Sequence, residues 1–168
     1  MKNIFLFIII GAYTSLVNAS DIYRASPERY VGKSDIVEIS IGTKYMAVTS
    51  DPQATEAAYN VLSNGGTAAD AAIAAQFVLG LTEPQSSGLG GGAFVIYYNA
   101  KQNLLTTFDG RETAPLASTP NYFLNNNKKP IGFYEAVLDG RSVGVPGTPA
   151  VLGKLHERFG KTDIQKLI

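Results

Sequence analysis

Arg111 is the side chain in this sequence best placed to bind an anion. It stands in Asp109-Gly110-Arg111-Glu112-Thr113-Ala114-Pro115. The residues before it, Leu104-Leu105-Thr106-Thr107-Phe108, are apolar and β-branched and predict a strand. Pro115 stops regular continuation after it. Gly110 removes bulk beside the arginine and lets the backbone come close to a ligand. A guanidinium at a strand end offers a planar fork of donors that matches a carboxylate or phosphate. The local residues equally allow a structural ion pair with Asp109 or Glu112, so at this level both readings stand open.

The other candidate groups are weaker. Gly88-Leu89-Gly90-Gly91-Gly92 suggests a phosphate loop, but Ala93-Phe94 follows where a P-loop needs lysine and a hydroxyl residue. The glycines also lead into a strand, whereas a dinucleotide site passes from strand to helix. They are expected to pack the backbone tightly beneath a site or to donate amides to one. Ser86-Ser87 would need a general base to act as a nucleophile. The one histidine, His156, is predicted to lie solvated on a surface helix beside Glu157 and Arg158. Thr106-Thr107 reads as ordinary strand. Asp51, Asp70, Asp109 and Glu112 show no metal-ligand spacing, and with one His and no Cys a zinc site is not expected. From the residues alone the chain has an anion-binding arginine and no convincing nucleophile.

The elements that must hold Arg111 are legible in outline. Residues 44–49 read as a short strand. Ser50 or Asp51 caps a helix over 52–63, with Pro52 at its first position and Ser50 to Gln53 at capping-box spacing. Asn64-Gly65-Gly66 ends it. Thr67, with Asp70 three residues on, starts a second helix, apolar on nearly every face and expected in the core. Glu83-Pro84 breaks it. Residues 93–98 and 104–108 form a β-hairpin around a five-residue connection. Both faces of these strands are apolar, so the hairpin is expected inside a sheet covered on two sides. Residues 125–130 read as a solvated turn, and Gly144-Val145-Pro146-Gly147-Thr148-Pro149 as a corner before a helix over 150–159 that ends at Gly160. The last residues read as the start of another helix, cut mid-element.

The 168 residues carry 14 basic and 14 acidic side chains, so no charge imbalance points to nucleic acid. Lys2, the apolar stretch 4–17 and Val17-Asn18-Ala19 read as a secretory signal cleaved after Ala19. The stretch is shorter than the roughly 20 residues that span a bilayer, so no stable membrane span is expected. An uncleaved anchor is the alternative. The domain reading is a signal peptide over 1–19 and an exported portion over 20–168, of which 20–40 is a loosely ordered lead-in.

Five motifs in order complete this reading: Ser50-Asp51-Pro52, Gly65-Gly66-Thr67-Ala68-Ala69-Asp70-Ala71-Ala72, Gly88-Leu89-Gly90-Gly91-Gly92-Ala93-Phe94, Asp109-Gly110-Arg111-Glu112-Thr113-Ala114-Pro115 and Gly144-Val145-Pro146-Gly147-Thr148. Together they closely resemble the N-terminal part of the large subunit of γ-glutamyltranspeptidases, also called glutathione hydrolases, over about residues 46–168. The resemblance implies an α+β N-terminal-nucleophile hydrolase fold, four layers in αββα order, of which this chain would supply part as helices on a mainly antiparallel sheet. It implies export to a periplasm or the cell exterior as a precursor that cleaves itself into large and small subunits, which stay together as a heterodimer. The N-terminal threonine of the small subunit would attack the γ-glutamyl amide of glutathione or a related compound, with its own amine as base. The γ-glutamyl group would then pass to water or an amino acid. No cofactor is implied. Arg111, at the arginine of the family's Arg-Glu-x-Ala-Pro motif, would grip the α-carboxylate of the γ-glutamyl group.

Two departures qualify the resemblance. Ala93 replaces a glycine common in the family loop, a change expected to be tolerated. The family's Thr-Thr-His-x-Ser cleavage pattern is absent, and Thr106-Thr107-Phe108 is only an echo of it. The chain alone is thus expected to have no turnover. A β-lactam side-chain acylase of the same fold and a non-catalytic exported module that binds an acidic ligand are the rival readings.

Overall fold

The computed structural model describes residues 39–168. The signal-peptide reading and residues 20–38 of the lead-in lie outside these residues. Among these residues, four α-helices and one hairpin make up the regular structure: α1 (Pro52–Ser63), α2 (Ala68–Thr82), β1 (Ala93–Asn99), β2 (Leu104–Gly110), α3 (Phe133–Leu138) and α4 (Thr148–Phe159). Short 3-10 turns follow α3 at Gly140–Ser142 and α4 at Ile164–Lys166.

The helix boundaries come from capping chemistry. Asp51 Oδ1 accepts the amides of Gln53 and Ala54 at 2.8 and 3.2 Å, so Asp51 is the cap of α1. Ser50 is not a cap; its hydroxyl donates to Glu83 Oε2 at 2.8 Å and ties the start of α1 to the end of α2. Gly65 turns the chain with φ of 83°. Thr67 and Asp70 cap α2 reciprocally: the Asp70 amide donates to Thr67 Oγ1 at 3.1 Å, and the Thr67 amide to Asp70 Oδ2 at 2.9 Å. Helix α4 starts two residues earlier than the sequence reading, because Pro149 fits the first turn of a helix.

Two apolar clusters hold these elements together. Ala54 and Ala58 of α1 meet Ala71 and Ala75 of α2, and the small side chains let the two helices approach closely. Ala69, Ile73 and Ala74 of α2 meet Val151, Leu152 and Leu155 of α4, with Leu167 closing the cluster. Val95, Tyr97 and Phe108 of the hairpin pack against this second cluster, and Tyr97 stacks on Phe159 with ring centroids 4.0 Å apart. Hairpin and helices thereby form an α-on-β arrangement.

Three expectations are corrected. Residues 44–49 form no strand: they have no ladder partner among the described residues and run as irregular chain along α1 and α2, with Ala47 against the alanine cluster. Among the described residues the hairpin is covered on one face only. Its register pairs Phe94 with Asp109, Ile96 with Thr107 and Tyr98 with Leu105, and this face looks outward, with Phe94 65%, Ile96 73% and Tyr98 58% exposed. The inward face alone meets helices, so burial alternates along both strands. The last residues form a 3-10 turn rather than an α-helix, capped by Asp163, whose Oδ1 accepts the Gln165 amide at 3.1 Å. Helix α3 has no counterpart in the sequence reading; it buries none of its residues, and six residues are too few to show a helical period.

Candidate functional site

Arg111 follows directly on the last residue of β2, as expected. Its amide donates to Asp109 Oδ1 at 3.0 Å, which turns the chain out of the sheet and commits the Asp109 carboxylate to the backbone. Among the described residues the ion pairs are Arg141 with Asp139 and Lys154 with Glu157. The Arg111 guanidinium therefore pairs with neither Asp109 nor Glu112, and the structural ion-pair reading falls away.

The turn after Arg111 is clamped from two sides. Thr113 and Val145 exchange backbone hydrogen bonds, at 3.3 Å from the Thr113 amide and 2.8 Å from the Val145 amide. The amides of Gly147 and Thr148, at the start of α4, both donate to the Gly91 carbonyl at 3.0 and 3.1 Å. Gly147 presses on the end of β2 so closely that a Cβ there would lie 1.9 Å from the Gly110 carbonyl oxygen. Gly92 has the same constraint toward Glu112: a Cβ at 92 would lie 2.6 Å from Glu112 Oε2. The glycine loop and the Gly144–Gly147 corner thus serve one purpose, to let three backbone segments close around the arginine turn. This agrees with the expectation that the glycines let the backbone pack tightly.

Arg111 lines two clefts. One, of about 430 Å³, is bounded by Pro115, Ser118, Tyr122, Phe123 and Arg141. The other, of about 470 Å³, is bounded by Asp109, Val145, Pro146, Ala150 and Lys154. Arg141 brings a second guanidinium to the first cleft. Asp139 Oδ2 accepts from its Nε at 2.9 Å and its Nη2 at 2.6 Å, and the Tyr122 carbonyl from its Nη1 at 3.0 Å. The guanidinium beside Asp139 holds that carboxyl below the usual carboxylate range. Sequence reasoning missed Arg141 and Tyr122. The Asp139-x-Arg141 spacing was the available signal, but it carries little weight without the fold.

The remaining candidates have structural employment. Ser87 Oγ accepts from Gln76 Nε2. His156 is half-buried rather than solvated, a correction to the sequence reading. Its Nε2 donates to the Thr162 carbonyl at 2.7 Å and fastens the segment after α4. Asp70 is fully buried and accepts further amides from Lys161 and Thr162. Burial alone would push its carboxyl up, but the amides of Thr67, Lys161 and Thr162 outweigh this and hold it below its ordinary value. Among the described residues no three His, Cys, Asp or Glu side chains come together as a metal-binding group, and no helix is long and apolar enough to cross a membrane.

Residues 54–168 match the family model described as gamma-glutamyltranspeptidase. The glutathione hydrolase proenzyme of Bacillus subtilis (strain 168) is 43% identical over 131 residues, which is 78% of this chain and 22% of that protein. The glutathione hydrolase proenzyme of Escherichia coli (strain K12) is 30% identical over 144 residues, 86% of this chain and 24% of that protein. Among solved structures, Helicobacter pylori gamma-glutamyltranspeptidase superposes with a TM-score of 0.71 at 33% identity, covering 78% of this chain and 37% of that one. The chain thus spans about a fifth to a quarter of the length of these curated relatives.

Proposed function

The chain belongs to the gamma-glutamyltranspeptidase family, whose α+β N-terminal-nucleophile hydrolase fold its helices and antiparallel hairpin share in part, and from that premise we propose that Arg111 is the carboxylate clamp of a γ-glutamyl hydrolase and transpeptidase. The substrates are glutathione and other γ-glutamyl compounds. The observation that supports this most directly is the state of Arg111: its backbone is locked at a strand end, and its guanidinium is exposed to two clefts and free of any carboxylate among the described residues. A rigid mount with an uncommitted fork is what bidentate capture of an α-carboxylate requires.

In this reading the fork holds the amino-acid end of the γ-glutamyl group and thereby presents the γ-amide carbon to a nucleophile. That nucleophile is the N-terminal threonine of a small subunit cut from the same precursor, with its amine taking the hydroxyl proton. The amide C–N bond breaks, the leaving amine receives the proton, and a γ-glutamyl ester remains. Water or an amino acid then accepts the acyl group. None of the residues described supplies the attacking group, so the chain's own part is to bind and orient. The proenzyme names of the relatives support processing into subunits, and the apolar stretch 4–17 before Val17-Asn18-Ala19 supports export to a periplasm or the exterior.

Calorimetric titration of glutamate into the chain tests the clamp, with glutarate as the control that keeps both carboxylates and lacks the amine. Glutamate binding that vanishes in Arg111→Ala supports it. Equal binding by the parent and Arg111→Ala overturns it. In the full-length polypeptide, faster hydrolysis of a γ-glutamyl anilide than of a glutaryl amide supports the γ-glutamyl assignment, and the reverse order overturns it in favour of an acylase.

A further inference from the structure

The Asp70 carboxylate does more than its capping role requires. One contact, from the Thr67 amide to Oδ2 at 2.9 Å, completes the reciprocal cap of α2. Three further contacts leave the helix altogether. The Lys161 amide lies 3.1 Å from both oxygens, and the Thr162 amide 3.2 Å from Oδ2. These residues follow the C-terminus of α4. The same junction is reinforced by Thr67 Oγ1, which donates to the Phe159 carbonyl at 2.9 Å, and by Lys161 Nζ, which donates to the Gly65 carbonyl at 3.0 Å. The start of α2 is thus bolted to the end of α4, with a fully buried carboxylate as the central acceptor.

The other end of α4 carries the arginine turn. Gly147 and Thr148 hold the Gly91 carbonyl, Gly147 abuts the Gly110 carbonyl, and a Cβ added at Gly110 would fall 2.5 Å from Val151 Cβ. A 12-residue helix is a rod of about 18 Å. A shift of its C-terminal seat is therefore delivered to the turn that carries Arg111, where a misplacement of about 1 Å can cost a clamp much of its effect.

We infer that Asp70 is a positioning residue for Arg111: it fixes the seat of α4, and α4 fixes the arginine turn against the glycine loop. The inference rests on the clamp role of Arg111 for its functional meaning. It assigns Asp70 no contact with substrate.

Asp70→Asn tests it in the full chain. The amide keeps the size of the carboxylate but has one acceptor oxygen, and its NH2 faces backbone N–H donors. A core variant in the other cluster, Ala54→Gly or Ala58→Gly, where α1 meets α2 away from α4, is chosen to match its loss of melting temperature. Two quantities are read: hydrogen exchange at the Gly147 and Thr148 amides, and the Kd for glutamate. Asp70→Asn is expected to speed exchange at those two amides beyond the matched core variant and to weaken glutamate binding roughly 3- to 30-fold, the range seen for residues coupled through packed elements. The core variant leaves both near the parent values. If Asp70→Asn and the core variant behave alike in both readouts, Asp70 is only a stabilising cap and the inference is overturned. Equal glutamate affinity in the parent and Arg111→Ala would instead overturn the clamp; the exchange readout needs no ligand and still decides whether Asp70 seats the turn.

Discussion

Gly147 and Gly110 touch through their backbones, with no room for a side chain between the first turn of α4 and the last residue of β2. The contact joins the Gly144–Gly147 corner to the arginine turn, two motifs that lie more than thirty residues apart in the sequence. Gly147→Ala would place a carbon 1.9 Å from the Gly110 carbonyl oxygen and must push helix and strand apart. The expected loss is about 1–3 kcal/mol, as for an overpacked core. Gly153, on the exposed side of the same helix, meets nothing within 4 Å. Gly153→Ala should therefore stabilise by about 0.5–1 kcal/mol through helix propensity alone. Denaturant melts of the two variants check both signs; a Gly147→Ala protein as stable as the parent would refute the close packing.

Arg111→Lys should weaken glutamate binding by about 1.5–3 kcal/mol, because an ammonium cannot reproduce the two parallel bonds of the guanidinium fork. In Kd this is roughly 10- to 150-fold. The side chain is exposed and makes no ion pair among the described residues, so the melting temperature should not move. Loss of stability together with loss of binding would point back to a structural role.

Ile73 lies fully buried where α2 meets α4. Ile73→Ala should cost about 2–5 kcal/mol, the transfer term plus the cavity left behind. The measurement is the shift in denaturant midpoint at constant slope.

Asp70 makes stability fall in acid. Its folded-state carboxyl is held below the ordinary value of 3.8. Its contribution is therefore complete above the unfolded value and is lost as pH drops through the lower folded one. Melting temperature should decline from about pH 4 downward, and the decline should be shallower in Asp70→Asn, which has no carboxyl to protonate at that site. Parallel pH profiles in the two proteins would contradict this.

What the sequence disclosed and what it withheld divides along the range of the interactions. The Asp51 and Thr67 caps, the Gly65 turn and the hairpin at 93–110 are decided by neighbours a few residues apart, and each was legible. Arg111 at its strand end was legible for the same reason. Residues 44–49 have strand-like composition, but a strand exists only with a partner, and pairing is not a local property. The outward apolar face of β1 looks identical in sequence to its buried face; only packing tells Phe94 from Val95. Helix α3 and the Asp139–Arg141–Tyr122 group depend on contacts up to nineteen residues apart, which no periodicity announces.

The partnership of Ile73 with Leu155 also sets a schedule. The two side chains share one core yet are separated by about eighty residues. A ribosome adding roughly 5–20 residues per second therefore delivers the first several seconds before the second. Among the described residues, the helix carrying Ile73 has only its alanine-lined neighbour and the segment around Ala47 for cover until the hairpin arrives, and the flank that Leu155 will meet stays open until later still. A nascent chain of this design is most open to chaperone capture, or to sticking to its like, while residues 83 to 150 are still being made.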